Sequence, residues 1–186
     1  IAGHKLYAPK GVGALFVRRG VRIAPVLHGA AHERGLRPGT EAVHQIVALG
    51  EAARLASTAV ATETDRLRLL RDRRENGLIQ QLGDLAPRVN GHPEQRLPNT
   101  SSLSFRGVAA DALLGAIAPR IAASAGSACH AHDVRLSPVL TAMGIDPEWG
   151  MGTLRLSVGR YTSEADVDEA AGVIAGAVRT RQAQPV

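Results

Sequence analysis

Thiols are nearly absent from this sequence: Cys129 is the only cysteine among 186 residues. That excludes an internal disulfide framework and fits a reducing, cytoplasmic setting. Aromatic residues make up only 3%, so a core has to be built from Ala, Val, Leu and Ile. The same scarcity argues against direct nucleic-acid binding, which favours stacking aromatics within an uninterrupted basic patch. No apolar run approaches the ~20 residues that span a bilayer. No charged-then-apolar signal segment opens the sequence. Internal repeats and low-complexity stretches are also missing.

What is present suits a globular protein of one large domain, or one and a half smaller ones: the hydrophobic fraction is 45%. The net charge is +5, supplied mostly by arginine. Its densest cluster is Arg66, Arg68, Arg71, Arg73 and Arg74, interleaved with Asp65, Asp72, Glu75 and three leucines. That pattern is expected to form the solvated face of an amphipathic helix.

Taken in order, Val12–Val17 is short and apolar and reads as a buried strand. Arg22–Leu27 reads as a second strand broken by Pro25. Residues 28–40 form a Gly-rich polar loop. His28 and His32 stand four apart, but Gly29 and the Gly-Pro pattern argue against the helix that would make them a metal pair. Helical spacing of Val43, Ile46, Val47, Leu67, Leu70 and Leu78 predicts helix from Glu41 to about Leu82, bent or broken near Gly50 or Ser57-Thr58. A domain boundary is expected in its second half, near residue 75. Beyond it come short alternating elements: strands at 88–90, 100–105, 120–123 and 153–158, helices at 110–117 and 138–143. A final helix runs from Ser163 to about Arg179, capped by Thr162. Such a mixture predicts a small α+β domain with an antiparallel or mixed sheet.

Two stretches carry candidate chemistry. Gly3-His4-Lys5 precedes the apolar run 12–17 and is a plausible seat for a reactive lysine. A lysine in a partly desolvated pocket loses proton affinity and can form a Schiff base. Cys129 follows Ser124-Ala125-Gly126-Ser127-Ala128 and precedes a polar segment that ends at Ser137-Pro138, a helix-start signal. A cysteine on such a loop can present a thiolate outward, favoured by His130, His132 and Arg135 if they come close. Taken alone, a surface lysine explains Gly3-His4-Lys5 better, and a small apolar cysteine explains Cys129 at least as well. Cys129, His130 and His132 as a metal module is the remaining alternative.

The combination is more specific than either part. GHKLYAPKGVGALFVRRG at 3–20, HERGLRPGTEAVHQIVALGEA at 32–52, LPNTSSLSF at 97–105, and SAGSACHAHDVRLSPVLTAMG with TLRLSVGRYTSEADVD at 124–168 resemble the pyridoxal-phosphate-dependent cysteine desulfurases and the related selenocysteine lyases. The resemblance implies the C-terminal half of a fold-type I pyridoxal-phosphate enzyme, in the α/β class. Residues 1–75 would be the end of the large domain with its connecting helix, and 76–186 the small α+β domain bearing the cysteine loop.

It also implies roles. Lys5 would carry the cofactor, pyridoxal 5'-phosphate, through a Schiff base. His4 would lie at its phosphate, and Thr40 would reach the phosphate site of a partner subunit, which makes the protein a homodimer. Arg155 would hold the carboxylate of L-cysteine, with Arg160 structural. Cys129 would take the sulfur as a persulfide, on a long loop that passes it to a protein acceptor such as an iron–sulfur scaffold. Selenocysteine lysis and a non-catalytic split half are the alternatives.

Three departures from the family pattern stand out. Ala2 replaces a frequent Ser, Gly29-Ala30-Ala31 replaces a Gly-Gly-Gly run, and the family's N-terminal half does not match any part of this sequence. Residues 1–186 alone then offer the strand at 12–17 at most one neighbour. They are expected to expose an apolar patch and unpaired strand edges, and to need a chain carrying the other half.

Overall fold

The computed structural model describes residues 1–125 and 136–183. Backbone contacts divide the chain into two compact units, Ile1–Ala61 and Thr62–Val186. The division falls inside a single helix, α1, Val43–Leu82.

The first unit is loop-rich. Its best-defined part is a folded-back loop in which residues 2 and 13 form an antiparallel bridge. Gly3 N–H donates to the Val12 carbonyl at 2.9 Å, and Ala14 N–H to the Ile1 carbonyl at 3.0 Å. Beyond this bridge, residues 12–17 form no strand and are not buried. Leu15 is 77% exposed and Phe16 86% exposed. The sequence reading of a buried strand is therefore corrected. Apolar composition makes a strand only where neighbours supply a ladder, and this unit supplies one bridge. Residues 22–27 are likewise irregular and largely exposed.

The long helix is continuous from Val43 to Leu82, without the expected break. Gly50 has no neighbour near its α-carbon, so its cost is limited to propensity, about 1 kcal/mol. Thr58 turns its hydroxyl back to the Arg54 carbonyl at 3.1 Å. Ion pairs Glu51–Arg54, Glu63–Arg66 and Asp65–Arg68 staple successive turns at i,i+3 spacing.

The second unit is a three-stranded antiparallel sheet covered on one face by helices. Its strands are β1 (Arg88–Val89), β2 (Thr100–Ser104) and β3 (Thr153–Ser157), in the order β1-β2-β3. Register pairs Ser101 with Leu156 and Ser102 with Arg155. The helices are α2 (Ala110–Ile117), α3 (Pro138–Ala142), α4 (Pro147–Gly150) and α5 (Glu164–Gln182). One core joins Leu78 and Leu82 of α1, Leu103 and Phe105, Leu113 and Ile117, Leu154 and Leu156, and Ile174 and Val178 of α5. Alternation along β3 puts Leu154 and Leu156 into this core and leaves Arg155 and Ser157 on the opposite, exposed face.

Two local readings differ from the structure, and one helix lies outside them. Residues 120–123 form no strand, and pairing is limited to a bridge between Ser124 and Arg155. The cap of α5 is Ser163, not Thr162. Ser163 Oγ accepts from Asp166 N–H, and Asp166 accepts from Ser163 N–H at 2.8 Å, a capping box. Thr162 Oγ1 accepts instead from Gly159 N–H at 3.0 Å. Helix α4 went unread, although Asp146-Pro147 is a cap-and-first-turn pair, with Asp146 accepting from Glu148 N–H at 2.8 Å.

The arginine cluster is a solvated face only in part. Arg68 and Arg73 are exposed, whereas Arg71 and Arg74 are buried. Arg71 donates to Asp72 at 2.7 Å and to the Leu97 carbonyl at 3.1 Å. Arg73 binds Asp168 at 2.7 Å and Glu164 at 2.5 Å, joining α1 to α5. Charge interleaved with leucine looks amphipathic in one dimension, but the fold places carboxylates and carbonyls on both sides of the helix.

Candidate active site

The seat of Lys5 follows from glycine. A methyl group at Gly3 would stand 2.8 Å from the Val12 carbonyl oxygen, and one at Gly13 would stand 2.6 Å from the Ile1 oxygen. Only glycine lets these two backbones close to bridge distance. Closure throws Gly3–Leu6 into a 3-10 turn, with Lys5 N–H donating to the Ala2 carbonyl at 3.1 Å. Tyr7 ends the turn in the left-handed region at φ 64°, and its N–H returns to the His4 carbonyl at 3.3 Å. His4 and Lys5 therefore stand side by side on a fixed turn, and both are exposed. The partly desolvated pocket expected around Lys5 is not formed by the described residues of this unit.

Thr40 is exposed in the stretch leading into α1. Before it, Glu33 and Arg34 both adopt left-handed backbone, at φ 49° and 59°. Such strain costs about 1–2 kcal/mol per residue and tends to gather at functional loops. Nothing in the sequence signalled it beyond the following Gly35. His32 keeps a buried Nδ1 without a hydrogen-bond partner. Among the described residues no cluster of His, Cys, Asp or Glu is arranged to hold a metal.

Arg155 projects from the exposed face of β3, on an element pinned along both edges. On one edge it lies opposite Ser102 of β2. On the other, Arg155 N–H donates to the Ser124 carbonyl at 2.7 Å and Ser124 N–H returns at 3.4 Å. The start of the SAGSAC stretch is thus held against the strand of Arg155. Cys129 itself, with His130, His132 and Arg135, lies outside the described residues. Arg160 follows β3, and its carbonyl accepts from Arg66 at 2.9 Å.

The donor set of this chain suits pyridoxal phosphate in kind. Lys5 offers an amine for an aldehyde, and His4 and Thr40 offer donors for a phosphate. The backbone that presents Lys5 is fixed by a glycine contact with no room for a Cβ.

The Aminotransferase class-V family matches residues 1–170. The chain is 46% identical over 183 residues to the cysteine desulfurase IscS of Histophilus somni strain 2336, covering 96% of this chain and 44% of that relative. A solved structure described as a NifS-like protein superposes with TM-score 0.79 at 31% identity, covering 96% of this chain and 45% of the other. The structure of SspA in complex with cysteine superposes with TM-score 0.57 at 30% identity, covering 87% and 43%. The chain spans about half the length of the curated relatives it matches.

Proposed function

The chain belongs to the aminotransferase class-V family, and from that premise we propose that it carries the sulfur-accepting half of the active site of a pyridoxal-phosphate-dependent cysteine desulfurase. Pyridoxal phosphate, when bound, supplies an electron sink for the substrate α-carbon. Lys5 would hold the cofactor at its aldehyde, and His4 and Thr40 would donate to its phosphate, Thr40 across a homodimer interface. Arg155 takes the carboxylate of L-cysteine through two parallel N–H donors. Lys5 Nζ would move the α-proton. The Cys129 thiolate attacks the substrate sulfur: an S–S bond forms, the substrate Cβ–S bond breaks, and its electron pair goes to Cβ. Protonation there gives L-alanine, and the sulfur stays on Cys129 as a persulfide for a protein acceptor.

The observation that carries this reading is the two-way backbone bridge between Ser124 and Arg155, because it roots the cysteine stretch on the strand of the carboxylate anchor. Relatives named cysteine desulfurase and a neighbour described with cysteine support the substrate. Among the described residues no helix is long and apolar enough to cross a membrane. A cytoplasmic homodimer that delivers sulfur to a scaffold or carrier protein, as in iron–sulfur cluster assembly, completes the proposal.

The test is Cys129→Ala in the pyridoxal-phosphate-loaded protein. Sulfur release from L-cysteine is lost while the cofactor absorbance is retained. Selenium release from selenocysteine survives, because a selenolate leaves without attack by a thiol. Full retention of L-cysteine activity would refute the assignment.

A further inference from the structure

Two arginines of α1 end on the backbone of the segment that holds Arg155. Arg74 is 3% exposed, and its Nη2 donates to Ser101 Oγ at 2.7 Å and to the Leu156 carbonyl at 3.1 Å. Ser101 Oγ donates in turn to Glu75 at 2.5 Å, and Arg96 binds both Glu75 oxygens at 2.7 and 2.8 Å. Arg66 reaches the stretch that follows. It donates to the carbonyls of Arg160 at 2.9 Å, Thr162 at 3.0 Å and Gly159 at 3.3 Å, with Glu63 behind it at 2.7 Å.

A buried guanidinium on a backbone carbonyl is a costly way to fill a core, because an apolar side chain of similar volume needs no desolvation. Burial draws the Arg74 pKa down to about 10, against the pull of Glu75. Its Nε stays buried without a partner, so the placement is not optimal for stability. Nor does β3 need it for pairing, since β2 and the Ser124 bridge already occupy its two edges. What the bond adds is a further hold on the Leu156–Ser157 peptide, one residue beyond Arg155. A forked contact to a carboxylate tolerates little misorientation, so the peptide from which the fork projects matters.

We propose that Arg74 and Arg66 are positioning residues for Arg155: they fix the carbonyls of β3 and of the loop after it, so that the Arg155 guanidinium meets a substrate carboxylate in one orientation. This rests on the reading of Arg155 as the carboxylate anchor.

The test is a double-mutant cycle in the pyridoxal-phosphate-loaded protein, with L-cysteine as substrate. Arg74→Met raises KM about three- to tenfold, within the range of coupling inside one hydrogen-bond network, with kcat within about twofold. Arg66→Met, at a partly exposed position, raises KM more weakly and gives the answer if Arg74→Met fails to fold. Arg74→Lys, which keeps one donor for the Leu156 carbonyl, recovers part of the KM. In an Arg155→Ala background the KM effects of Arg74→Met and Arg66→Met disappear. KM effects that persist undiminished in that background overturn the proposal, as does thermal destabilisation with KM unchanged. An Arg155→Ala single variant with unchanged KM overturns the anchor reading itself, and it is scored without any α1 variant.

Discussion

Lys5 and Lys10 are the only lysines in this chain, because arginine supplies the rest of its positive charge. That makes the proposed role of Lys5 simple to check. Borohydride reduction of the pyridoxal-phosphate-loaded protein, followed by peptide mapping, should place the pyridoxyl group on Lys5; label on Lys10 would contradict it. Arg155→Ala should raise KM for L-cysteine by the loss of a charge-assisted bond of about 1.5–3 kcal/mol. Arg160→Ala should matter less, and steady-state kinetics on the pair would expose the reverse ranking. The candidate residues were legible because Lys, Cys and Arg sit in motifs of recognisable chemistry. Arg66 and Arg74 were not, since nothing local separates a guanidinium facing water from one aimed at a carbonyl 82 residues away. The backbone at Glu33 and Arg34 was hidden for a related reason: left-handed conformations of non-glycine residues are imposed by surroundings, not by composition.

Helices and short strands of the second unit were legible because their apolar periodicity is confirmed by local punctuation. Ala110–Ile117 and Thr100–Ser104 follow the pattern closely, and Ser137-Pro138 starts α3 where expected. The apolar run at 12–17 misled because composition predicts burial without saying against what. The capping box of α5 yields a pH prediction. Hydrogen bonds from the Ser163 N–H and then its hydroxyl hold the Asp166 carboxyl below its ordinary value. A folded-state pKa lower than the unfolded one gives stability that is complete above the unfolded value and is lost as pH falls through the folded one. Asp166→Asn should therefore lower the thermal unfolding midpoint at pH 7, and the gap to the parent protein should close in acid. A gap independent of pH would contradict the cap. In the core, Leu78 is fully buried. Leu78→Ala should cost about 2–5 kcal/mol in denaturant titrations through lost burial and the cavity it leaves.

At the scale of the whole molecule, the two units differ in how far they satisfy themselves. The second closes a core of fully buried side chains. The first leaves Leu15, Phe16 and the 91%-exposed Val26 facing water. Exposed apolar surface of this kind marks an interaction face. On the proposed function, the remainder of the active site and a second subunit would cover it. Residues 1–186 expressed by themselves should bind a hydrophobic dye and self-associate, and a monodisperse, dye-free monomer on size exclusion would contradict that assignment. The proposed function requires one chain to supply both an amine for the cofactor and a thiol for the sulfur. Its most direct test is a single turnover of the pyridoxal-phosphate-loaded protein with sulfur-labelled L-cysteine, quenched and mapped by mass spectrometry. The account predicts alanine in equal amount to label, with the label on Cys129 as a persulfide. Alanine formed at the normal rate with no label on Cys129 would contradict it.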